Sequence, residues 1–337
     1  MMFLYLSLAG DHRLACYQID DDSGDLKHLR NESVAGAPSV QGRHCSMPIL
    51  YVAMRSNGQL LSFRVDASDG CLTLLQTIDT KLEDPGYFLT DKTGRFLITP
   101  YYASGKVTVY SIGEDGAAKQ PAVCIANTDL HAHGLAIDMN NRFVFVPHTC
   151  PGDAIFQFEL IDGTLKPNDP PTVSAGKNLG PRHVHFHPNG RWLYADNEQD
   201  NSVTLFLFDS NNGTLCPQQT LTTLPQGFSG GACARMLIHP SGQMLYAANR
   251  GHDSIACFLI DQKTGELTAA GHFSTPPNPR SFDIDPSGKN LYVAGQSADC
   301  LTQFRIDSET GSLEEVKSYE TGSMPWWVHV MNPVANL

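Results

Sequence analysis

The sequence predicts an all-β fold, a seven-bladed β-propeller with four antiparallel strands per blade, on three observations. One short phrase recurs seven times along the 337 residues at a nearly constant spacing. Each copy contains alternating apolar and polar runs separated by Gly, Pro, Asn and Asp turns, a pattern that indicates β-strands. The two ends of the chain also hold complementary parts of one copy. Seven such units favour a closed ring, which we expect to form a single domain over residues 1–337.

The repeat is defined by the phrase Leu193-Tyr194-Ala195, which recurs as Leu245-Tyr246-Ala247 and Leu291-Tyr292-Val293. Four weaker copies complete the series, with neighbouring copies 46 to 52 residues apart. We call the central residue of each phrase its anchor, and the strand that contains it the second strand of a blade. The seven anchors are Tyr5, Tyr51, Ile98, Phe145, Tyr194, Tyr246 and Tyr292.

The ends of the chain predict how the ring closes. The chain begins at an anchor strand and lacks the inner strand that comes before the other anchors. Its last segment, residues 325–330, matches an inner strand and has no anchor strand after it. We therefore expect the two fragments to pair and complete one blade, which leaves no free sheet edge at this point.

The overall charge excludes one class of partner. The net charge is −12, from 35 acidic and 23 basic residues, and the sequence has no cluster of Lys and Arg. A nucleic-acid-binding protein needs such a cluster to contact phosphates, so we expect no nucleic-acid partner.

The cysteines and the apolar segments predict a cytoplasmic protein without a membrane partner. Nine cysteines are scattered without a Cys-x-x-Cys pair, which is typical of reduced thiols. No apolar run reaches the roughly 18 residues that a membrane helix needs. The apolar start of the chain, residues 1–9, has no positively charged region before it and matches the repeat, so we interpret it as a strand and not as a signal peptide.

Two sets of equivalent positions predict a functional pocket. Because the first two strands of a blade are antiparallel, the start of the inner strand and the end of the second strand lie at the same rim. Twelve residues before the anchors stand Ser39, Gly86, His133, Arg182, Ala234 and Arg280. Four residues after the anchors stand Ala9, Arg55, Tyr102, Thr149, Glu198, Arg250 and Gln296.

Polar side chains of different chemistry accumulate at these two sets, whereas a purely structural repeat would place interchangeable residues there. The predicted catalytic residues are His133, Glu198, Arg182 and Arg250, and the predicted substrate-binding residues are Arg55, Tyr102, Arg280 and Gln296. A single His or Arg at a blade edge more commonly serves a loop or an ion pair, so the prediction depends on the convergence of the set.

The remaining histidines are assigned to structure or left open. His185 alternates with apolar residues on an inner strand, and His187 and His239 occupy equivalent turns, so we interpret all three as structural. Two His-x-His pairs lack an evident third ligand, and no zinc motif or Gly-x-Ser-x-Gly elbow is present. We therefore expect neither a metal ion nor a cofactor.

The motif Gly180-Pro181-Arg182-His183, followed by Asn197-Glu198 and by Asn249-Arg250-Gly251, resembles the bacterial propeller-type 6-phosphogluconolactonase family. That family is in turn similar to the fungal 3-carboxy-cis,cis-muconate lactonising enzymes. The resemblance covers nearly the whole chain, and it implies that His133, Arg182, Glu198 and Arg250 form the site. One departure is Arg235, which stands where the family usually has an acid and is expected to alter the charge of the pocket.

The resemblance implies metal-independent hydrolysis of an anionic sugar lactone, at one mouth of the channel. In this interpretation Glu198 is the general base, and His133 is either an alternative base or the donor of a proton to the leaving alkoxide. Arg182 and Arg250 suit a phosphate or a carboxylate. The alternatives are cycloisomerisation of a carboxylated muconate and, third, a non-catalytic interaction propeller. The expected partner is a small anionic lactone or polycarboxylate, bound by a monomer or a weak homodimer.

Overall fold

The regular secondary structure consists of β-strands alone throughout residues 1–334, the part of the chain that the computed structural model describes. The predicted all-β class is therefore confirmed. The strands, in chain order, are β1 (Met2–Leu8), β2 (Arg13–Ile19), β3 (Leu26–Ser33), β4 (Pro38–Arg43), β5 (Ile49–Met54), β6 (Gln59–Val65), β7 (Leu72–Asp79), β8 (Leu89–Thr90), β9 (Phe96–Tyr101), β10 (Lys106–Ser111), β11 (Cys124–Asn127), β12 (Ala136–Ile137), β13 (Phe143–His148), β14 (Ala154–Ile161), β15 (Thr164–Val173), β16 (Pro181–Phe186), β17 (Trp192–Asn197), β18 (Ser202–Asp209), β19 (Thr214–Thr222), β20 (Ala232–Ile238), β21 (Met244–Arg250), β22 (Ser254–Ile260), β23 (Leu267–Ser274), β24 (Pro279–Ile284), β25 (Asn290–Gly295), β26 (Cys300–Ile306), β27 (Leu313–Glu320) and β28 (Pro325–Met331).

The strands form seven antiparallel sheets of four, which are the blades of a propeller. Six blades use four consecutive strands each, beginning with β4, β8, β12, β16, β20 and β24 on the inside. Neighbouring inner strands contact one another around the ring, from β24 to β28 and from β28 to β4. We number the blades from 1, which contains β1, to 7, which contains β24. The predicted seven-bladed architecture is confirmed.

The first blade is assembled from both ends of the chain. Its strands run in the order β28, β1, β2 and β3, so the C-terminal strand is the innermost. Strand β28 is antiparallel to β1, with Val328 opposite Leu6 and His329 opposite Tyr5. The predicted closure of the ring is confirmed.

The anchor tyrosines connect neighbouring blades. Each of the five tyrosines is fully buried, and its hydroxyl donates a hydrogen bond of 2.7–2.9 Å to the carbonyl oxygen of a glycine in the next blade. One example is Tyr194, which bonds Gly265. Gly265 has φ = +80°, and a Cβ atom there would meet the Trp192 ring at 2.5 Å, so only glycine fits. Apolar side chains fill the remaining space between the sheets, as Phe282 and Phe304 do beside Tyr246.

Residues 1–334 contain no helix with the length and apolar character needed to cross a membrane.

Deleting residues 325–337 should destroy the ring. This deletion removes β28, exposes the β1 edge and unpacks the clusters that include Val328 and Trp327. We expect the shortened chain to lose its cooperative thermal transition by circular dichroism and to aggregate during gel filtration. A chain ending at residue 334 keeps all 28 strands and is the control. A cooperative transition in the longer deletion would contradict this account of closure.

Replacing Tyr194 by Phe should lower stability by about 1–3 kcal/mol, because the buried carbonyl of Gly265 loses its hydroxyl donor. The free energy of unfolding in urea measures the change. Tyr17→Phe is the matched control, since Tyr17 is also buried but its hydroxyl has no hydrogen-bond partner among residues 1–334. Equal losses in the two variants would show that the bond between blades contributes nothing specific.

Candidate active site

One pocket lies at the rim where inner strands begin and second strands end. It encloses about 680 Å³ of space, counting the part open to solvent. Seven of the eight predicted site residues line this pocket. The full lining is Ser39, Val40, Arg55, Asp84, Pro85, Gly86, Tyr102, His133, Arg182, Glu198, Arg250, Arg280, Trp326 and Trp327.

Irregular pairing at the start of the inner strands directs side chains into the pocket. The pairing of β16 with β17 shifts between Pro181 and His183, and the pairing of β24 with β25 shifts between Pro279 and Ser281. A β-bulge bends its strand and redirects a side chain, in this case Arg182 and Arg280. Glu198 follows the end of β17, where its backbone N–H donates to the carbonyl of Gly180 at 2.7 Å. Equivalent positions in different blades therefore converge on one mouth.

Glu198 lies between two arginines. Nη2 of Arg250 donates to Oε1 of Glu198 at 2.6 Å, and Nε of Arg182 lies 3.2 Å from Oε2 in an ion pair. The side chain of Arg182 is only 3% exposed, and those of Glu198 and Arg250 are 18% and 19% exposed. Burial raises the pKa of Glu198, but the two guanidinium groups outweigh burial and hold the pKa below its usual value. Glu198 is consequently an ionised carboxylate with a guanidinium against each oxygen.

His133 lines the same pocket beside this cluster. Its ring packs edge-on against Tyr102 and His183, with centroid distances of 5.7 and 5.0 Å. Neither ring nitrogen bonds to a residue within 1–334, and Nδ1 is sealed from solvent, which leaves Nε2 as the nitrogen that reaches the pocket. Burial, followed by the positive charge of Arg182, lowers the pKa of His133 well below its usual value. The imidazole is therefore neutral at neutral pH.

Asp84 is a pocket residue that the sequence analysis missed. It accepts a hydrogen bond of 2.7 Å from Nη2 of Arg55, and burial raises the pKa of its carboxyl against the opposing effect of this arginine. Four arginines thus face two carboxylates in the pocket, an excess of two positive charges. This positive site lies in a protein of net charge −12.

The C-terminal strand supplies an aromatic wall. Trp326 and Trp327 both line the pocket. The guanidinium carbon of Arg280 lies 3.9 Å from the centre of the Trp326 ring, and that of Arg55 lies 5.1 Å from it. Both distances are typical of cation–π contacts.

Two expectations from the sequence are corrected. Gln296 does not line the pocket: its amide oxygen accepts a hydrogen bond of 3.0 Å from Asn278, which holds the side chain in the loop beyond β25. Arg235 does not line the pocket either. Its guanidinium carbon lies 4.1 Å from the centre of the Trp327 ring, and the group donates to Ser281 and to the carbonyl of Val328. The residue that departs from the family motif therefore lies behind the aromatic wall and not in the pocket.

A buried pair beside the pocket was also missed. Oδ1 of Asp196 accepts a hydrogen bond of 2.6 Å from the backbone N–H of His183, and Oδ2 has no hydrogen-bond partner within 1–334. Nη1 of Arg182 lies 3.0 Å from Nδ1 and 3.3 Å from Nε2 of His183, and the imidazole nitrogen must be the acceptor, because a guanidinium can only donate. His183 therefore helps to fix the position of Arg182. The signal in the sequence is Asp196 itself, the one charged residue at its position two after the anchors.

The turn histidines have structural contacts. Nε2 of His187 bonds the carbonyl of Gly242 at 2.8 Å, and Nε2 of His239 bonds that of Gly288 at 2.9 Å, each in the next blade. In the described part of the chain no group of three or more His, Cys, Asp and Glu residues is arranged to hold a metal ion.

The fold and the pocket together define a propeller with a polar, arginine-rich site at one mouth. A sequence profile described as lactonase, 7-bladed beta-propeller, matches residues 5–330. The chain therefore belongs to this lactonase family, and the resemblance seen in the motifs is confirmed.

Individual relatives agree with this assignment. The chain is 34% identical to a 6-phosphogluconolactonase of Pectobacterium carotovorum, over 91% of this chain and 92% of that protein. It is 30% identical to a 6-phosphogluconolactonase of Serratia proteamaculans, over 97% and 98%. Among solved structures, the periplasmic gluconolactonase of Pseudomonas aeruginosa has the same fold, with a TM-score of 0.88 and 24% identity over 98% of this chain and 99% of that one.

Replacing Asp196 by Asn should stabilise the protein above pH 6. Burial raises the pKa of Asp196 from 3.8 to about 6, against the effect of Arg182. The folded protein thus keeps this proton to a higher pH than the unfolded chain, and stability falls as pH rises between the two pKa values. The difference between the two pKa values corresponds to a loss of about 3 kcal/mol in the free energy of unfolding above pH 6.

Urea unfolding of both proteins from pH 5 to pH 8 tests this expectation. The stability gap in favour of the variant should widen up to about pH 7 and then stay constant, because the carboxylate is then fully ionised. Asp21→Asn, in an exposed turn, is the control for the change in net charge. A gap that is independent of pH, or a variant less stable at pH 8, would refute the assignment of a costly buried charge.

Proposed function

We propose that this protein hydrolyses an anionic sugar lactone similar to 6-phosphogluconolactone, in the pocket at the mouth of the channel. The observation that carries the proposal is the convergence of a neutral histidine and four arginines on one concave site. The 6-phosphogluconolactonases among the relatives support the same substrate class.

The general base is better assigned to His133 than to Glu198. Opening a lactone requires a group that takes a proton from the attacking water. Both oxygens of Glu198 are already engaged by guanidinium groups, so neither is free to accept a proton from the attacking water. His133 is neutral, and its Nε2 reaches the pocket without a protein partner. His133 then also returns the proton to the ring oxygen that leaves.

Arg182 and Arg250 stabilise the negative charge that develops on the carbonyl oxygen during attack. Glu198 holds both guanidinium groups in fixed positions before the substrate arrives. Such preorganised positive charge in a partly buried site is an effective stabiliser of an oxyanion. Glu198 in this assignment is a positioning residue.

We further propose that the protein is cytoplasmic and that it acts without a metal ion or cofactor, as a monomer or weak homodimer. The nine cysteines support the location, because all of them are free thiols, as is typical of a reducing compartment.

The function is tested with purified protein and two substrates. We expect acid release from 6-phosphogluconolactone well above the spontaneous rate. Loss of the diene absorbance of 3-carboxy-cis,cis-muconate, without lactone hydrolysis, would instead support the cycloisomerase alternative. Activity on neither substrate would favour an interaction propeller and overturn the proposal.

His133→Asn should lower kcat by about 10²–10⁴-fold, which is the usual contribution of a general base. In the wild type, kcat/KM should stay flat from pH 8 to pH 6 and fall only below that range, because a base is lost when pH falls through its pKa and the pKa of His133 is far below its usual value. Tyr17→Phe, outside the pocket, is the control. A His133→Asn variant with wild-type kcat, or a midpoint at pH 6.5, would remove His133 from this role.

A further inference from the structure

Arg280 differs from the other three arginines of the pocket in its charge partners. Arg182 and Arg250 are paired with Glu198, and Arg55 is paired with Asp84. The guanidinium of Arg280 makes no hydrogen bond or ion pair with any residue within 1–334, and its close contact is the face of Trp326. Arg280 therefore accounts for much of the uncompensated positive charge in the pocket.

The surroundings of Arg280 favour the binding of an anion there. Burial lowers the pKa of Arg280 well below its usual value, and the charges of Arg182, Arg250 and Arg55 lower it further. These unfavourable effects on the guanidinium are offset when an anion binds beside it. The indole of Trp326 holds the guanidinium by one face, which leaves its edge with several N–H donors to bind an oxyanion bidentately.

The order of the blades separates this arginine from the reacting groups. His133, Arg182 and Glu198 belong to blades 4 and 5, whereas Arg280 belongs to blade 7 and Trp326 to blade 1. Because the blades surround the channel in chain order, Arg280 and Trp326 enter the pocket two or three blades away from the reacting groups, and Arg250 of blade 6 stands between. In 6-phosphogluconolactone, the phosphate and the lactone carbonyl are at opposite ends of the sugar.

We propose that Arg280, held against Trp326, is the subsite for the phosphate of the substrate and determines the preference for a phosphorylated over a neutral sugar lactone. This inference rests on the proposed lactone hydrolysis and deepens it by assigning the two ends of the substrate. Arg182 and Arg250 are thereby left to the carbonyl end.

The test compares kcat/KM for 6-phosphogluconolactone and for gluconolactone in wild type and in Arg280→Met. We expect the preference for the phosphorylated lactone to fall by about 10²-fold, by analogy with the loss of one partner of a buried charge pair. Turnover of gluconolactone should fall by a clearly smaller factor than turnover of 6-phosphogluconolactone. Arg280→Lys, which keeps the charge but not the planar fork, should retain part of the preference.

Two controls distinguish loss of the phosphate subsite from a general loss of stability or activity. Arg191→Met removes an arginine stacked on a tryptophan, Trp192, at 4.8 Å, but outside the pocket, and should leave the preference unchanged. The melting temperature of Arg280→Met should be no lower than that of the wild type, since the change removes a charge without an ion-pair partner. Equal losses on both lactones would place Arg280 at the reacting end and overturn the inference, as would no loss on either.

Binding of inorganic phosphate, measured by calorimetry, tests the subsite without turnover. The wild type should bind phosphate and Arg280→Met should bind it at least tenfold more weakly. If the wild type hydrolyses neither lactone but shows this difference, the proposed function fails while the anion subsite stands. Equal binding by the two proteins, or no binding by the wild type, overturns the subsite.

Discussion

The hydrogen bond from an anchor tyrosine to a glycine carbonyl of the next blade sets the geometry on which the site depends. It recurs in five of the seven blades with nearly the same length, so neighbouring sheets are held at nearly the same offset. Where the anchor is Ile98 or Phe145, the anchor side chain itself contributes only apolar packing. Because the blades are held as copies, residues at one position of the repeat arrive at one level of the channel. A pocket can then be assembled from one or a few residues of each of the seven blades without any continuous motif.

The pocket concentrates positive charge in an acidic protein. Charged groups are expensive to bury, and the structure reduces this cost by placing Glu198 against two arginines and Asp84 against a third. The compensation is incomplete, with four arginines for two carboxylates. An incompletely compensated, partly desolvated site attracts anions more strongly than a neutral one, and it does so at one mouth of the channel. Burial, and after it the same field, keeps His133 uncharged, because a proton on its ring would lack solvation and would be repelled by Arg182 and Arg280.

The repeat made the fold and most of the pocket predictable, and its limits explain what was missed. His133 and Arg182 stand twelve residues before an anchor, and Glu198 and Arg250 stand four after one, where the repeat brings side chains to one rim. Asp84 lies fourteen before its anchor and Asp196 two after, so neither belongs to these two sets. Gln296 belongs to the second set, yet its side chain bonds Asn278 and stays out of the pocket. Spacing predicts where a backbone position lies, whereas local hydrogen bonds decide where a side chain points.

Arg235 shows how a departure from a family motif can leave a pocket intact. An arginine in place of an acid on an inner strand would be expected to reverse the local charge. Here the guanidinium stacks behind Trp327, bonds Ser281 and the carbonyl of Val328, and lies 3.9 Å from Asp283. Its contacts join the inner strands of blades 6, 7 and 1 below the pocket floor. The charge is thus compensated within the channel, and the same contacts hold the C-terminal strand that carries the aromatic wall. Closure of the ring and the shape of the pocket consequently depend on the same strand, β28.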